Sequence, residues 1–196
     1  MRVTQAGALV TVLLQRVRDP MGAAHSRAFA LEILSDAQRF VNLAQSHVLV
    51  EETLTTEARR ILYPVTASLP LSARVEYIRD SVRDLTRSTL SSLAHVNSRW
   101  PSRIGLTFES WVPIGRDLIV IYPAKAAASS VTVVSTKLTT AFAGEGDEVE
   151  LPPEAELAML DLAEAILLLR SRMWGPFTDA AKRLVAHKLA LDEVAK

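Results

Sequence analysis

The chain has 196 residues, 49% of them apolar, with 22 Lys and Arg balanced by 22 Asp and Glu, and no cysteine. Such a chain can bury a sizeable core, so disorder is not expected. Charge balance argues against gripping nucleic acid as the main task, and the missing cysteines exclude disulfides, Cys-ligated metals and a Cys nucleophile.

Ala6 to Leu14 loosely imitates a short signal peptide, but Gln15-Arg16 follow at once and no small-residue cleavage pattern comes next. The segment Thr4 to Val17 reads instead as a helix. Ala6, Leu9, Val10, Leu13, Leu14 and Val17 fall at spacings of three and four, and Asp19-Pro20 with Gly22 ends the run. A second helix is expected from Arg27 to Leu49, with Ser26 as N-cap. Its stripe is Ala30, Ile33, Leu34, Ala37, Val41, Ala44 and Val48, and Glu32, Ser35, Asp36, Arg39, Asn42 and Ser46 lie largely away from it.

From Glu51 to about Thr140 the residues favour strands. Thr53–Thr56 and Arg60–Tyr63 are rich in β-formers, and Arg74–Arg79 largely alternates polar and apolar residues. Leu85–Thr89 is expected to pair with Arg74–Arg79, and Ser91–Asn97 to form a short helix. Glu109–Pro113 and Asp117–Tyr122 flank a turn at Ile114-Gly115-Arg116, and Ser130–Thr139 is a further strand. Ala143–Glu148 reads as a flexible acidic loop. A long helix then opens at Pro152-Pro153 and runs from Glu154 to Met173, and a last amphipathic helix spans Phe177 to Glu193.

The expectation is therefore α+β in a single domain, 1–196: a helical bundle of residues 1–50 and 151–196, with a small antiparallel sheet inserted at 51–140. The long helix is apolar almost all round, which calls for burial on several sides and makes a neighbouring subunit the natural supplement.

No catalytic pattern stands out. His25, His47, His95 and His187 are scattered, no nucleophile-elbow motif occurs, and Gly144-Glu145-Gly146 is not a phosphate cradle. Asp161 and Glu164, one helical turn apart, suit a polar contact to a neighbouring helix or subunit better than acid–base work. The cations are scattered, and Trp100, Trp111 and Trp174 do not interleave with them. No catalytic, cofactor or metal site is assigned, and a non-enzyme is expected.

Three pieces carry a family resemblance. Val17-Arg18-Asp19-Pro20 precedes a helix holding Leu34-Ser35-Asp36-Ala37-Gln38-Arg39-Phe40. Trp111-Val112-Pro113-Ile114-Gly115 leads to Leu118-Ile119-Val120-Ile121-Tyr122-Pro123. Leu151-Pro152-Pro153-Glu154 is followed by Asp161-Leu162-Ala163-Glu164-Ala165. In order and spacing the chain resembles the head-to-tail adaptor (connector or head-completion) proteins of tailed bacteriophages and gene-transfer particles. It departs from them in a less aromatic final helix pair.

The resemblance implies a homo-oligomeric ring of twelve subunits in the virion neck, assembled in the host cytoplasm without a membrane. The ring would dock under a portal protein, extend the channel through which double-stranded DNA passes without sequence-specific binding, and present a platform to a stopper or tail protein. Phe177, Lys182, Arg183, Lys188 and Lys196 would then contact the portal, and Glu145, Asp147, Glu148 and Glu150 would face the lumen, keeping DNA from sticking. The competing readings are another neck or tail-completion protein and, from a different class, a small cytoplasmic enzyme whose site is assembled from distant residues.

Overall fold

A computed structural model describes residues 4–19, 21–81, 83–96, 98–171, 176–183 and 185–186. The chain divides into two compact units. One comprises Met1–Val48 with Thr139–Lys196, the other Leu49–Leu138.

The first unit is helical. Helix α1 (Ala6–Arg16) and helix α2 (Arg27–Gln45) arise from the expected apolar spacings, and Ser26 caps α2 by accepting the Phe29 amide at 3.2 Å. Between them Asp19 organises the turn, its carboxylate accepting the amides of Ala23, Ala24 and His25 at 2.7–3.0 Å. Helix α2 stops short of Leu49 because Ser46 turns left-handed (φ 53°) and the Asn42 side chain takes the Val48 amide.

Residues 139–152 cross this helical face, and here two sequence expectations are corrected. Ser35 and Asn42 do not lie away from the core but are buried. Ser35 accepts the Phe142 amide, while buried Gln38 donates to the Thr140 carbonyl and accepts the Glu150 amide. Nor is 143–148 a merely solvated loop. The Ala6 and Gly7 amides bond the carbonyls of Asp147 and Glu145 at 2.8 Å. Gly7 permits that approach, since a Cβ there would lie 2.9 Å from the Glu145 Cβ.

The long helix α5 (Pro153–Arg170) closes the unit. Its Ala155, Ala158, Met159, Ala163 and Leu167 pack with Leu9, Val10, Leu13 and Leu14 of α1 and Ile33, Leu34 and Ala37 of α2. Residues 176–183 are also helical, and buried Ala180 packs with Ala165 and Leu168. Most of the apolar circumference of α5 is thus covered by its own unit, with Leu157 and Leu169 left exposed.

The second unit overturns the expected small inserted sheet. Among the described residues, nine strands form three sheets and dominate the middle of the chain, so the α+β protein is not a terminal-helix bundle with a minor insertion. The strands are β1 (Leu49–Thr56), β2 (Leu62–Pro64), β3 (Ser72–Arg79), β4 (Thr86–Arg87), β5 (Ile104–Gly105), β6 (Ser110–Ile114), β7 (Leu118–Tyr122), β8 (Ala124–Lys125) and β9 (Ser129–Lys137). Helix α3 (Val65–Ser68) and helix α4 (Leu90–Val96) interrupt them, and a 3-10 turn spans Trp100–Ser102.

An antiparallel sheet β1-β9-β3 faces a four-stranded sheet β2-β7-β6-β4. Leu54, Val75, Ile78, Val131 and Val133 of the first share one core with Tyr63, Trp111, Ile119 and Ile121 of the second. This is the burial that alternating side chains require of two packed sheets. The expected hairpin forms as β6–β7, register Ser110↔Tyr122 to Ile114↔Leu118, with Gly115 at φ 63° in the turn. The pairing of Leu85–Thr89 with Arg74–Arg79 is corrected. It stops at the Arg79↔Asp84 bridge and the Leu85 amide bond to Ile78. The Thr86 and Ser88 amides then bond the carbonyls of Glu109 and Trp111, so that β4 runs parallel to β6.

Candidate functional site

Three groups of side chains stand out from the packing. The first lies in the helical unit, where α5 places two carboxylates on its inner face. The Asp161 side chain is 2% exposed and that of Glu164 9%. Arg16, in the last turn of α1, donates to Asp161 Oδ1 at 2.6 Å and reaches Glu164 Oε2 at 3.4 Å. Arg183 donates to Glu164 Oε1 at 2.6 Å, with its Nε 3.9 Å from Asp161 Oδ1. The Glu164 hydrogen bond, against the opposing pull of burial, raises the Arg183 guanidinium above its ordinary value. A cleft of about 460 Å³ opens beside the cluster, lined by Arg16, Leu157, Asp161, Glu164 and Arg183. Two acids and two guanidinium groups balance. Buried acids need such partners, and the arrangement fixes three helical segments together rather than holding a free acid or base.

The second group lies in the sheet unit. Asp80 accepts the Ser81 amide at 2.7 Å and meets Lys125 Nζ at 3.4 Å, and that ammonium stands 4.1 Å from the centre of the Phe108 ring. Burial would push the Asp80 carboxyl up, but the Ser81 amide and Lys125 outweigh it and hold it below its ordinary value. A folded value below the unfolded one stabilises the fold above the unfolded carboxylate range, and the stability is lost as pH falls through the folded value. Urea midpoints of the wild type should therefore fall more steeply below about pH 4 than those of Asp80→Asn, which lacks the group. Parallel acid profiles would show that Asp80 does not contribute to the acid sensitivity of the fold.

The third group is a surface. Leu93 of α4 and Trp100 anchor residues 85–108 on Val112, Val120 and Tyr122, the outer face of the four-stranded sheet. The rest of this lobe is mostly exposed, including Leu90, Val96 (77%), Ile104 and Leu106 (96%). Arg87 stacks 5.5 Å from the centre of the Trp111 ring, and Arg103 donates to the Tyr122 hydroxyl at 3.0 Å and to Glu109 at 3.1 Å.

No protein-family model matches the chain, and no curated protein does.

The residues singled out in the sequence are not gathered into one site. Of those expected to contact a portal, Phe177 is half-buried beside Ala165 and Leu168, and Arg183 turns to Glu164. Lys182 is exposed, 3.8 Å from Asp179, and Lys188 and Lys196 lie outside the described residues. Of the acids assigned to a lumen, Glu145 pairs with Arg27 at 2.6 Å, a hydrogen bond that outweighs its partial burial and holds its carboxyl below the usual range. Asp147 takes the Ala143 and Gly144 amides, Glu150 takes the Thr140 amide, and exposed Glu148 bridges to Gln5 through its backbone.

His25 contacts Ser171 at 3.1 Å and His47 contacts Gln45, while His95 is exposed and His187 lies outside the described residues. Among the described residues no group of three or more His, Asp and Glu is placed to hold a metal, and no helix is long and apolar enough to cross a membrane. Arg16 was missed as the partner of Asp161 and Glu164. Its place in the last turn of an amphipathic helix, next to the stripe, was the available sign.

Proposed function

We propose that this chain is a structural, non-catalytic subunit of a larger assembly, of the head-to-tail adaptor kind. In this reading it forms a ring beneath a portal protein in the virion neck, extends the DNA channel, and offers a platform to a stopper or tail protein. The ring would be built in the host cytoplasm.

The observation that carries the reading is the lobe at 85–108. Isolated exposed apolar residues are ordinary on a monomer, but a concentration of them marks a contact surface. Here Leu90, Val96, Ile104 and Leu106 are all exposed within one short stretch, among arginines, the apolar-plus-Arg composition that interfaces favour. The carboxylates of the helical unit favour the same reading. Asp161 and Glu164 are consumed by ion pairs that hold helices together. Within the adaptor frame, Lys182 and exposed Glu148 are, among the described members of the two assigned groups, those best placed to meet a partner or a lumen.

The reading is tested by co-expressing the chain with a portal protein encoded in the same gene cluster and purifying through a tag on the portal. Retention of the chain through size exclusion supports it. Clean separation of the two, with both folded, overturns it.

A further inference from the structure

The net charge of zero conceals a division. Leu49–Leu138 carries eleven Lys and Arg against eight Asp and Glu, a net charge of +3, and the remainder of the chain carries eleven against fourteen, a net charge of −3. Neither charge is spread evenly. Between Asp84 and Glu109 stand Arg87, His95, Arg99 and Arg103 with no acid, and these are the residues among which Leu90, Val96, Ile104 and Leu106 are exposed. In the helical unit, Glu145 to Glu156 holds six acids and no base. Glu148 and Glu154 are exposed and Glu156 half-exposed, none of the three makes an ion pair among the described residues, and Leu157 is exposed directly after them.

We propose that the chain associates with itself head to tail, the basic apolar lobe 85–108 of one copy seating on the acidic face 145–157 of the next. The inference rests on the assembly reading above and names the surfaces that join the copies. A two-fold contact of lobe with lobe would bring Arg87 and Arg99 of one copy near those of the other, while Arg103 is already paired with Glu109 at 3.1 Å. Like-charge juxtaposition opposes association, whereas opposite charges attract and fix register. A contact between two different faces repeats from copy to copy, and it closes into a ring when the rotation permits.

Duplex DNA suits the lobe less well. Val96 and Leu106 gain nothing from phosphate.

The test is sedimentation velocity of the full chain at low and high salt, with two surface variants, Leu106→Asp on the lobe and Glu154→Lys/Glu156→Lys on the acidic face. Wild type is expected to self-associate, more weakly as salt screens the contact. Each variant should weaken self-association about thirtyfold or more. An equimolar mixture should stop at a heterodimer, because each variant supplies one intact face. That dimer also shows that both variants are folded. If Leu106→Asp does not fold, Val96→Asp takes its place.

A wild type that stays monomeric up to about 1 mM overturns the proposal. So do variants that associate like wild type, and a mixture that remains monomeric or grows past a dimer. Loss of duplex DNA binding by Leu106→Asp with self-association intact would give the lobe to DNA instead. A monomeric chain that still co-purifies with the portal would refute these surfaces and leave the adaptor reading standing.

Discussion

Replacing Arg16 by Met should lower the stability of the helical unit by about 3 kcal/mol. Arg16 is the partner of Asp161 at 2.6 Å, and the Asp161 side chain is 2% exposed. Among the described residues the guanidinium that then lies nearest is Arg183 at 3.9 Å, which already bonds Glu164. A buried carboxylate left without its close partner bears most of its desolvation cost uncompensated. Arg183→Met should cost less, about 1 kcal/mol, because the Arg183 side chain is 46% exposed and Arg16 still reaches both acids. Adding Asp161→Asn to Arg16→Met should recover part of the loss, since a neutral amide is cheaper to bury than a charge. Urea unfolding followed by circular dichroism reads all three. If Arg16→Met matched Arg183→Met and gained nothing from Asp161→Asn, the cluster would be surface decoration.

Trp111→Ala should cost the sheet unit about 4 kcal/mol, the range for truncating a fully buried large aromatic. Trp111 is completely buried between the two facing sheets, in register with Ile121 of β7 and with Arg87 of β4. Its removal opens a cavity bordered by both sheets and withdraws the ring on which Arg87 stacks. Trp111→Phe should be much milder. The indole N–H is buried with no hydrogen-bond partner among the described residues, so losing it offsets part of the lost contact area. Because the two units have separate cores, the Trp111 variants should act on the sheet unit and the Arg16 variants on the helical one. Near-equal losses for Trp111→Ala and Trp111→Phe would contradict the packing described for that core.

Local periodicity and capping carried the sequence reading furthest. Helix α1 follows from the spacing of Ala6, Leu9, Val10, Leu13 and Leu14, the start of α2 from Ser26, that of α5 from Pro152-Pro153, and the β6–β7 hairpin from the turn at Ile114-Gly115-Arg116. Interactions set by distant residues were not legible. The parallel pairing of Thr86–Arg87 with Ser110–Trp111 rests on backbone groups that no side-chain pattern announces. The β-rich stretch was legible as 51–140, but not its division into three sheets, since β5 and β8 are two residues long and leave no period to read. The acidic loop looked solvated because Arg27, which holds Glu145, is 118 residues away, and Arg16 stands 145 residues from Asp161. Buried Ser35 and Asn42 were placed on the polar side because polarity alone does not distinguish a residue facing water from one holding a crossing strand of backbone.

The exposed lobe is proposed to join this chain to other subunits. Native mass spectrometry of the chain mixed with a portal protein encoded in the same gene cluster reads that association. A portal complex carrying a ring of copies, twelve times the 21.5 kDa chain in the proposed stoichiometry, is the expected result. A chain that stays a 21.5 kDa monomer beside an unaltered portal would contradict it.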